Sequence, residues 1–252
     1  MFDKSSDKVK NGELVIDDLF FFPEVGMLDC NQFVIRDQDT KELSLFDAGN
    51  GLTLNGLIEG MKRLGLLFKD ITRVYITHEH VDHVLGLYHI LKKMEDNKTQ
   101  VFAYGETADI LRNGIEEKIF PGSIQSFGIN TKYFGVKIIP INITELTLHE
   151  SIHIGSEFTF KIMHTPGHSP SSICYYEEQQ KILIPGDLVF TGGSFGRYDF
   201  PGGSLQKLKE SIKRVNELDV TNLLPGHMGI TSQGNKAISS SFRMVQSIGS
   251  YF

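Results

Sequence analysis

Cysteine is scarce in this sequence: Cys30 and Cys174 are the only two in 252 residues. They are too few and too far apart to form a disulfide framework. Both stand in apolar, strand-like surroundings, so buried reduced thiols are expected. Nowhere is there a run of about 18 apolar residues, the length a membrane-spanning helix needs. The opening stretch, Met1 to Lys8, lacks the apolar core of an export signal. Lysine and arginine form no cluster and the formal net charge is -6, so nonspecific attraction to nucleic acid or an acidic membrane is not expected. No linker is visible, and no internal repeat beyond a loose two-sheet pseudo-symmetry. What remains is the composition of a globular chain, 40% apolar and 22% charged. Its length suits one large domain. A cytoplasmic protein is the expectation.

What is present in strength is one stretch, Thr77-His78-Glu79-His80-Val81-Asp82-His83. Four of its side chains are good metal ligands: His78, His80, Asp82 and His83. The apolar run Val74-Tyr75-Ile76 before it reads as a buried strand, and Val84 to Leu91 after it reads as a helix. The ligands therefore fall in the turn at the carboxyl end of a strand, where open α/β sheets place their sites. Neutral imidazole suits zinc, and a carboxylate can join it. So short a run cannot wrap four ligands round one ion. His78 and His80, two apart, can address one ion, and Asp82 and His83 another.

The stretch resembles the His-x-His-x-Asp-His signature of the metallo-β-lactamase superfamily. Three further pieces match in order: His164-Thr165-Pro166-Gly167-His168-Ser169, Pro185-Gly186-Asp187 and Pro225-Gly226-His227. The resemblance runs from about Leu14 to His227. It implies an α/β fold, a four-layer αβ/βα sandwich. It also implies a ligand set: His78, His80 and His168 for a first metal, Asp82, His83 and His227 for a second, and Asp187 bridging both. In the superfamily the Asp-x-Gly of Asp47-Ala48-Gly49 supports the metal site from behind; a plain turn is the other reading of these residues. His164, His89, His149 and His153 read as structural.

The rest of the chain fits that fold. Residues 1–12 are polar and read as a frayed terminus. Glu13 to Phe22 reads as one strand running into the aromatic cluster Phe20-Phe21-Phe22. Asn31–Arg36 and Glu42–Asp47 read as a hairpin. Leu54, Leu57, Ile58, Met61 and Leu64 recur at helical spacing, with Gly65 as the stop. Gln100–Tyr104 is a strand, His149–Gly155 and Phe158–His164 a second hairpin, and Ser172–Tyr176, Lys181–Ile184 and Asn222–Leu224 further strands. Gly203–Leu218 is amphipathic with Ser204 as its N-cap, and Asn235–Ile248 can close the fold as a helix. Residues 105–142 read as an insertion beside the site, with apolar pieces Ile119, Phe120, Ile124 and Phe127 in need of cover.

Two divalent ions about 3.5–4 Å apart can share a water-derived nucleophile and polarise a carbonyl or phosphoryl oxygen. No serine or cysteine nucleophile is then required, and Asp82 can act in proton transfer as well as ligation. Asp187 is absent from most true β-lactamases of this fold, and flavodiiron oxidoreductases carry glutamate where His80 stands. The RNA-processing branch usually has a basic arm, which is missing. The run Gly192 to Gly203 resembles a loop of the glyoxalase II-like group and of persulfide dioxygenases. In it Arg197, with Tyr198, is a candidate for binding substrate; Arg197 can equally pair with Asp199. The expected activity is hydrolysis of a thioester, ester or lactone by a binuclear site, with zinc as the expected metal and iron or manganese as alternatives. A mononuclear iron persulfide dioxygenase using His78, His168 and Asp187 is the competing reading, and a phosphodiesterase a further one. A short stretch after His227 puts glutathione-thioester specificity in question. Partners are a small-molecule substrate, with no nucleic acid or membrane expected and a homodimer left open.

Overall fold

In the computed structural model, residues 8–94, 99–120 and 131–248 are described. The chain forms two compact units, one of residues 1–145 with 154–157 and one of 146–153 with 158–252. Each is built on a mixed sheet with helices, in keeping with the expected α/β class.

The first unit holds a seven-stranded sheet in chain order. Strands β1 (Glu13–Ile16), β2 (Leu19–Phe22), β3 (Gln32–Arg36) and β4 (Leu43–Phe46) pair antiparallel. Strands β5 (Ile71–Tyr75), β6 (Gln100–Ala103) and β7 (Ile143–Glu145) continue it in parallel from β4. The single strand expected over 13–22 is thus two strands. Asp17, in the left-handed region at φ 45°, turns the chain, and every residue of β2 is buried, Phe20 and Phe22 among the core packed with α1. Helix α1 (Leu54–Arg63) buries Leu54, Leu57 and Met61 and ends with Lys62 and Arg63 in its last turn, where cations favour the helix dipole. Gly65 follows at φ 73°. The helix expected after the metal motif is two pieces, α2 (Val81–Val84) and α3 (Gly86–Lys93). Gly86 sits at the join because a Cβ there would meet the Ala48 carbonyl oxygen at 1.8 Å.

Residues 105–142 link the parallel strands β6 and β7, with α4 (Gly105–Asn113) and α5 (Glu116–Ile119) in the crossover. Ile119 and Phe120 find their cover inside this unit's own core; Ile124 and Phe127 lie outside the described residues. Of the terminus read as frayed, the described residues 8–12 are held to the fold. Lys10 is fully buried, and its backbone N–H donates to the Gly56 carbonyl.

The second unit holds a five-stranded sheet ordered β12-β11-β10-β9-β8. Its strands are β8 (Ser151–Ile154), β9 (Phe158–His164), β10 (Ile173–Glu177), β11 (Ile182–Ile184) and β12 (Asn222–Leu223). Strand β10 runs antiparallel to β9 and β11, whereas β11 and β12 are parallel. Helix α6 (Leu205–Val215) starts at Ser204, whose hydroxyl accepts from the Lys207 N–H. It packs Leu208, Ile212 and Val215 into a core shared with Ile238 and Val245 of α7 (Gly234–Ser247). Each such fully buried aliphatic side chain contributes about 1.5–3 kcal/mol.

Candidate metal centre

In the first unit the predicted ligands follow from where β4 and β5 end. The two strands are parallel neighbours, so the turns after them, Asp47 and Thr77-His78, lie side by side. Asp47 adopts φ 57°, a conformation that Asp and Asn tolerate better than most residues. Its carboxylate accepts from the Thr77 N–H at 2.9 Å, the Thr77 hydroxyl at 2.9 Å and Nδ1 of His83 at 2.8 Å. The Thr77 hydroxyl, having donated to Asp47, accepts from Nδ1 of His78 at 3.0 Å. The imidazoles of His78 and His80 lie 4.8 Å apart between centroids, nearly perpendicular, and those of His78 and His83 4.1 Å apart. All three histidines are buried, while Asp82, in the first turn of α2, is partly exposed.

Two buried neighbours escaped the sequence reading. Glu79 accepts at 2.8 Å from the Thr107 hydroxyl in the first turn of α4, which ties the ligand turn to the crossover. Cys30 stands within 4.8 Å of ligand atoms of Asp47 and His83. Burial raises its thiol pKa, against the lowering influence of His83.

In the second unit His168, Asp187 and His227 come together. Strands β11 and β12 are parallel and end in Pro185-Gly186-Asp187 and Pro225-Gly226-His227, with the Gly226 N–H donating to the Gly186 carbonyl at 2.9 Å. Nε2 of His227 lies 3.2 Å and Nε2 of His168 3.6 Å from Asp187 Oδ2. His168 is aimed by its own turn. Gly167 takes φ 140°, and a Cβ there would stand 2.4 Å from the Leu208 backbone of α6. The Gly167 carbonyl accepts from the Ser204 N–H and the Pro166 carbonyl from the Ser211 hydroxyl, both at 2.8 Å. Most telling, Nδ1 of His168 donates to the Arg197 carbonyl at 2.6 Å. A carbonyl can only accept, so a proton is on Nδ1, and in the neutral imidazole the lone pair is on Nε2.

The two candidate substrate residues have other engagements. The Arg197 guanidinium is bidentate on Asp199 at 2.9 and 2.7 Å and lies 4.4 Å over the Phe200 ring. The hydrogen bonds of that pair raise the Arg197 pKa and lower that of Asp199. Tyr198 packs, partly buried, against the helical core of its unit. Of the histidines read as structural, His164 bonds to the Pro170 carbonyl, His89 to the Phe134 carbonyl and His153 to the Thr159 hydroxyl.

His78 and His83 in the first unit and His168 in the second each engage Nδ1 in a hydrogen bond, the orientation in which Nε2 can serve a metal, and the buried histidines and carboxylates of each unit are donors that suit zinc or iron. The class defined is an α/β protein with groups able to hold a metal on strand-end turns. Residues 25–227 match the model of the metallo-β-lactamase superfamily, and the chain belongs to that superfamily. An uncharacterized protein of Aquifex aeolicus is 34% identical over 86% of this chain and 93% of its own. Hydroxyacylglutathione hydrolase GloC of Haemophilus influenzae is 26% identical, covering 81% and 88% respectively. The Bos taurus acyl-coenzyme A thioesterase MBLAC2 is 27% identical over 70% of this chain and 66% of its own. Among solved structures, the BLEG-1 B3 metallo-β-lactamase matches with TM-score 0.68 and 28% identity, over 86% of this chain and 95% of that one. TTHA1623 in a di-iron-bound form matches with TM-score 0.66 and 25% identity, over 86% and 96%. The chain has the metallo-β-lactamase fold. No helix among the described residues is long and apolar enough to cross a membrane.

Proposed function

We propose that this protein is a metal-dependent hydrolase of thioesters, with esters and lactones as the neighbouring substrate classes. His78, His80 and His168 would hold one divalent ion, Asp82, His83 and His227 a second, and Asp187 both. Zinc is the proposed metal. Bound there, such ions supply a Lewis acid for the substrate carbonyl and lower the pKa of a coordinated water towards about 7.

The chain's own residues do the rest. Asp47 and the Arg197 carbonyl fix the tautomers of His83 and His168, so that Nε2 of each carries the lone pair. Asp82, partly exposed at the start of α2, would orient the attacking water and accept its proton. Asp187 places a negative charge within 3.2 Å of His227, which favours cations in the same place. The observation that carries this reading is the gathering of His168 and His227 within 3.6 Å of Asp187 on strand-end turns, with Nδ1 of His168 turned to the Arg197 carbonyl. The two hydrolase relatives, one named for a glutathione conjugate and one for acyl-coenzyme A, support thioesters as the substrate class.

The test is metal analysis of the purified protein followed by a panel of thioester, lactone, β-lactam and phosphodiester substrates. Two ions per chain with thioester turnover is the expected result. One iron per chain with oxygen uptake on a persulfide, and no hydrolysis, would replace this reading with the dioxygenase.

A further inference from the structure

The amino-terminal segment ahead of β1 does more than trail from the sheet. It lies along α1 over two glycines one helical turn apart. A Cβ on Gly56 would meet the Lys8 carbonyl oxygen at 2.0 Å, and one on Gly60 the Lys10 carbonyl oxygen at 2.1 Å. This close approach lets Lys10 enter the protein with no exposure at all. Its ammonium has three donors and uses each: Asp29 Oδ2 at 2.8 Å, Gln32 Oε1 at 2.7 Å and the Cys30 carbonyl at 3.1 Å.

Both side-chain partners lead to the turn that carries Asp47. Asp29 accepts from the Thr53 hydroxyl at 3.1 Å and the Asn50 N–H at 3.4 Å, and from the Val25 N–H at 2.8 Å. Gln32 donates through Nε2 to the Asp47 carbonyl at 3.3 Å. The same turn is fixed from its other side, where the Ala48 N–H donates to the His83 carbonyl and the Gly86 N–H to the Gly49 carbonyl, both at 2.8 Å. Asp47 in turn holds Nδ1 of His83. A continuous buried path therefore runs from Lys10 through Asp29 and Gln32 to the Asp47–Gly51 turn and on to one imidazole. Electrostatics gives the path direction. Asp29 and Asp47 are both buried carboxylates, with no side-chain exposure at Asp29 and 4% at Asp47. A buried cation beside Asp29 offsets a charge that would otherwise be very costly to hold in the interior.

We propose that Lys10 is a positioning residue for the metal centre, setting the Asp47 turn and through it the tautomer and orientation of His83. The proposal rests on the reading of His83 as a metal ligand only for its consequence, not for its test. The variants are Lys10→Met, which keeps the stem and removes the charge, and the double variant Lys10→Met/Asp29→Asn, which leaves no uncompensated buried charge. A third, Gln32→Met, keeps the Lys10–Asp29 pair and cuts the other link to Asp47.

Two quantities are read: zinc affinity by chelator competition, and the imidazole tautomer of His83 in the metal-free protein by 15N NMR. The wild type should show His83 protonated on Nδ1. In Lys10→Met the His83 signals should shift towards a mixture of tautomers and zinc affinity should fall by about 10-fold or more, the scale of lost outer-sphere partners. Gln32→Met should move both readouts the same way by less. If Lys10→Met does not fold, the double variant decides by the same two readouts. Unmoved His83 signals in the folded variants, whatever the loss in melting temperature, would show that Lys10 only supports the fold and would overturn the proposal. A wild-type protein that binds no zinc would refute the metal reading instead, leaving the tautomer experiment to judge Lys10.

Discussion

Replacing Asp47 by Asn is the sharpest perturbation of the proposed centre, because it changes charge and hydrogen-bond polarity at almost constant shape. Asn tolerates the left-handed φ of 57° at this position, so the backbone need not move. The carboxylate accepts three hydrogen bonds, two from Thr77 and one from His83. An amide can accept with its oxygen only. If that oxygen keeps the Thr77 N–H, the NH2 group faces the Thr77 hydroxyl and Nδ1 of His83. Nδ1 must then accept, the proton moves to Nε2, and the ligand atom loses its lone pair. Restoring the ligating tautomer against that preference should cost about 1.4–2.7 kcal/mol, which is the 10–100-fold in metal affinity typical of such partners. Zinc affinity by chelator competition, compared with the melting temperature of the metal-free proteins, checks it. A variant that binds zinc within about threefold of wild type, a difference of under about 1 kcal/mol, would refute the argument that Asp47 sets His83.

Other outcomes follow from the same geometry. Asp187→Asn should weaken both metal positions together, since it removes the shared negative charge; metal analysis showing two tightly held ions and unchanged turnover would contradict its bridging role. Asp82→Ala, remetallated to full occupancy with excess zinc, should remain poorly active, because the group proposed to orient the attacking water is lost; near-normal turnover at full metal would reduce Asp82 to a proposed ligand alone. Arg197→Ala should shift stability by less than about 1 kcal/mol, as exposed ion pairs do, and leave zinc affinity intact, because His168 bonds to the main-chain carbonyl; a large rise in KM would instead assign the guanidinium to substrate. Burial pushes the Cys174 thiol up to about 12 against the lowering effects of Thr165 and Arg214. With the folded pKa above the unfolded value, the unfolded state loses its proton first. Stability should therefore fall by up to about 1.4 kcal/mol per pH unit between about pH 9 and the folded value of about 12, and Cys174→Ala should flatten that alkaline slope in denaturant titrations.

The stretch from His78 to His83 stood out because it sets an unusual density of potential metal-binding side chains after a strand, whereas His168, Asp187 and His227, one residue each on a short turn, were reached only through the family resemblance. The strands themselves were read from short apolar runs with glycine or proline at their ends. What escaped has identifiable physical causes. Phe20, Phe21 and Phe22 are all buried, so the second strand of the first hairpin shows no alternation, and the turn at Asp17 is hidden inside what reads as one strand. Lys10 sits in a polar segment that composition assigns to solvent; its burial depends on Asp29 and Gln32, which only the folded sheet brings near. The carbonyl of Arg197 is a main-chain group, so no residue type announces it, and the side chain that drew attention at that position is occupied by Asp199.

Left-handed backbone occurs at the same turns. Asp47 at φ 57° and Met228 at φ 68° are side-chain-bearing residues in the left-handed region, at a cost of roughly 1–2 kcal/mol each. One carries the carboxylate that holds His83, and the other directly follows His227. Gly167 and Gly186, at φ 140° and 52°, immediately precede His168 and Asp187. The strands end just before these positions, so hydrogen-bonded pairing no longer dictates side-chain direction there. A left-handed residue swings the chain sharply enough to aim its neighbour, and the packing of α6 against Gly167 and of Gly226 against Gly186 keeps the turn from relaxing. Of the six side-chain-bearing left-handed residues among those described, Asp47 and Met228 stand on these turns, while Asp17, Leu28, Lys41 and Lys181 turn the chain elsewhere in the fold.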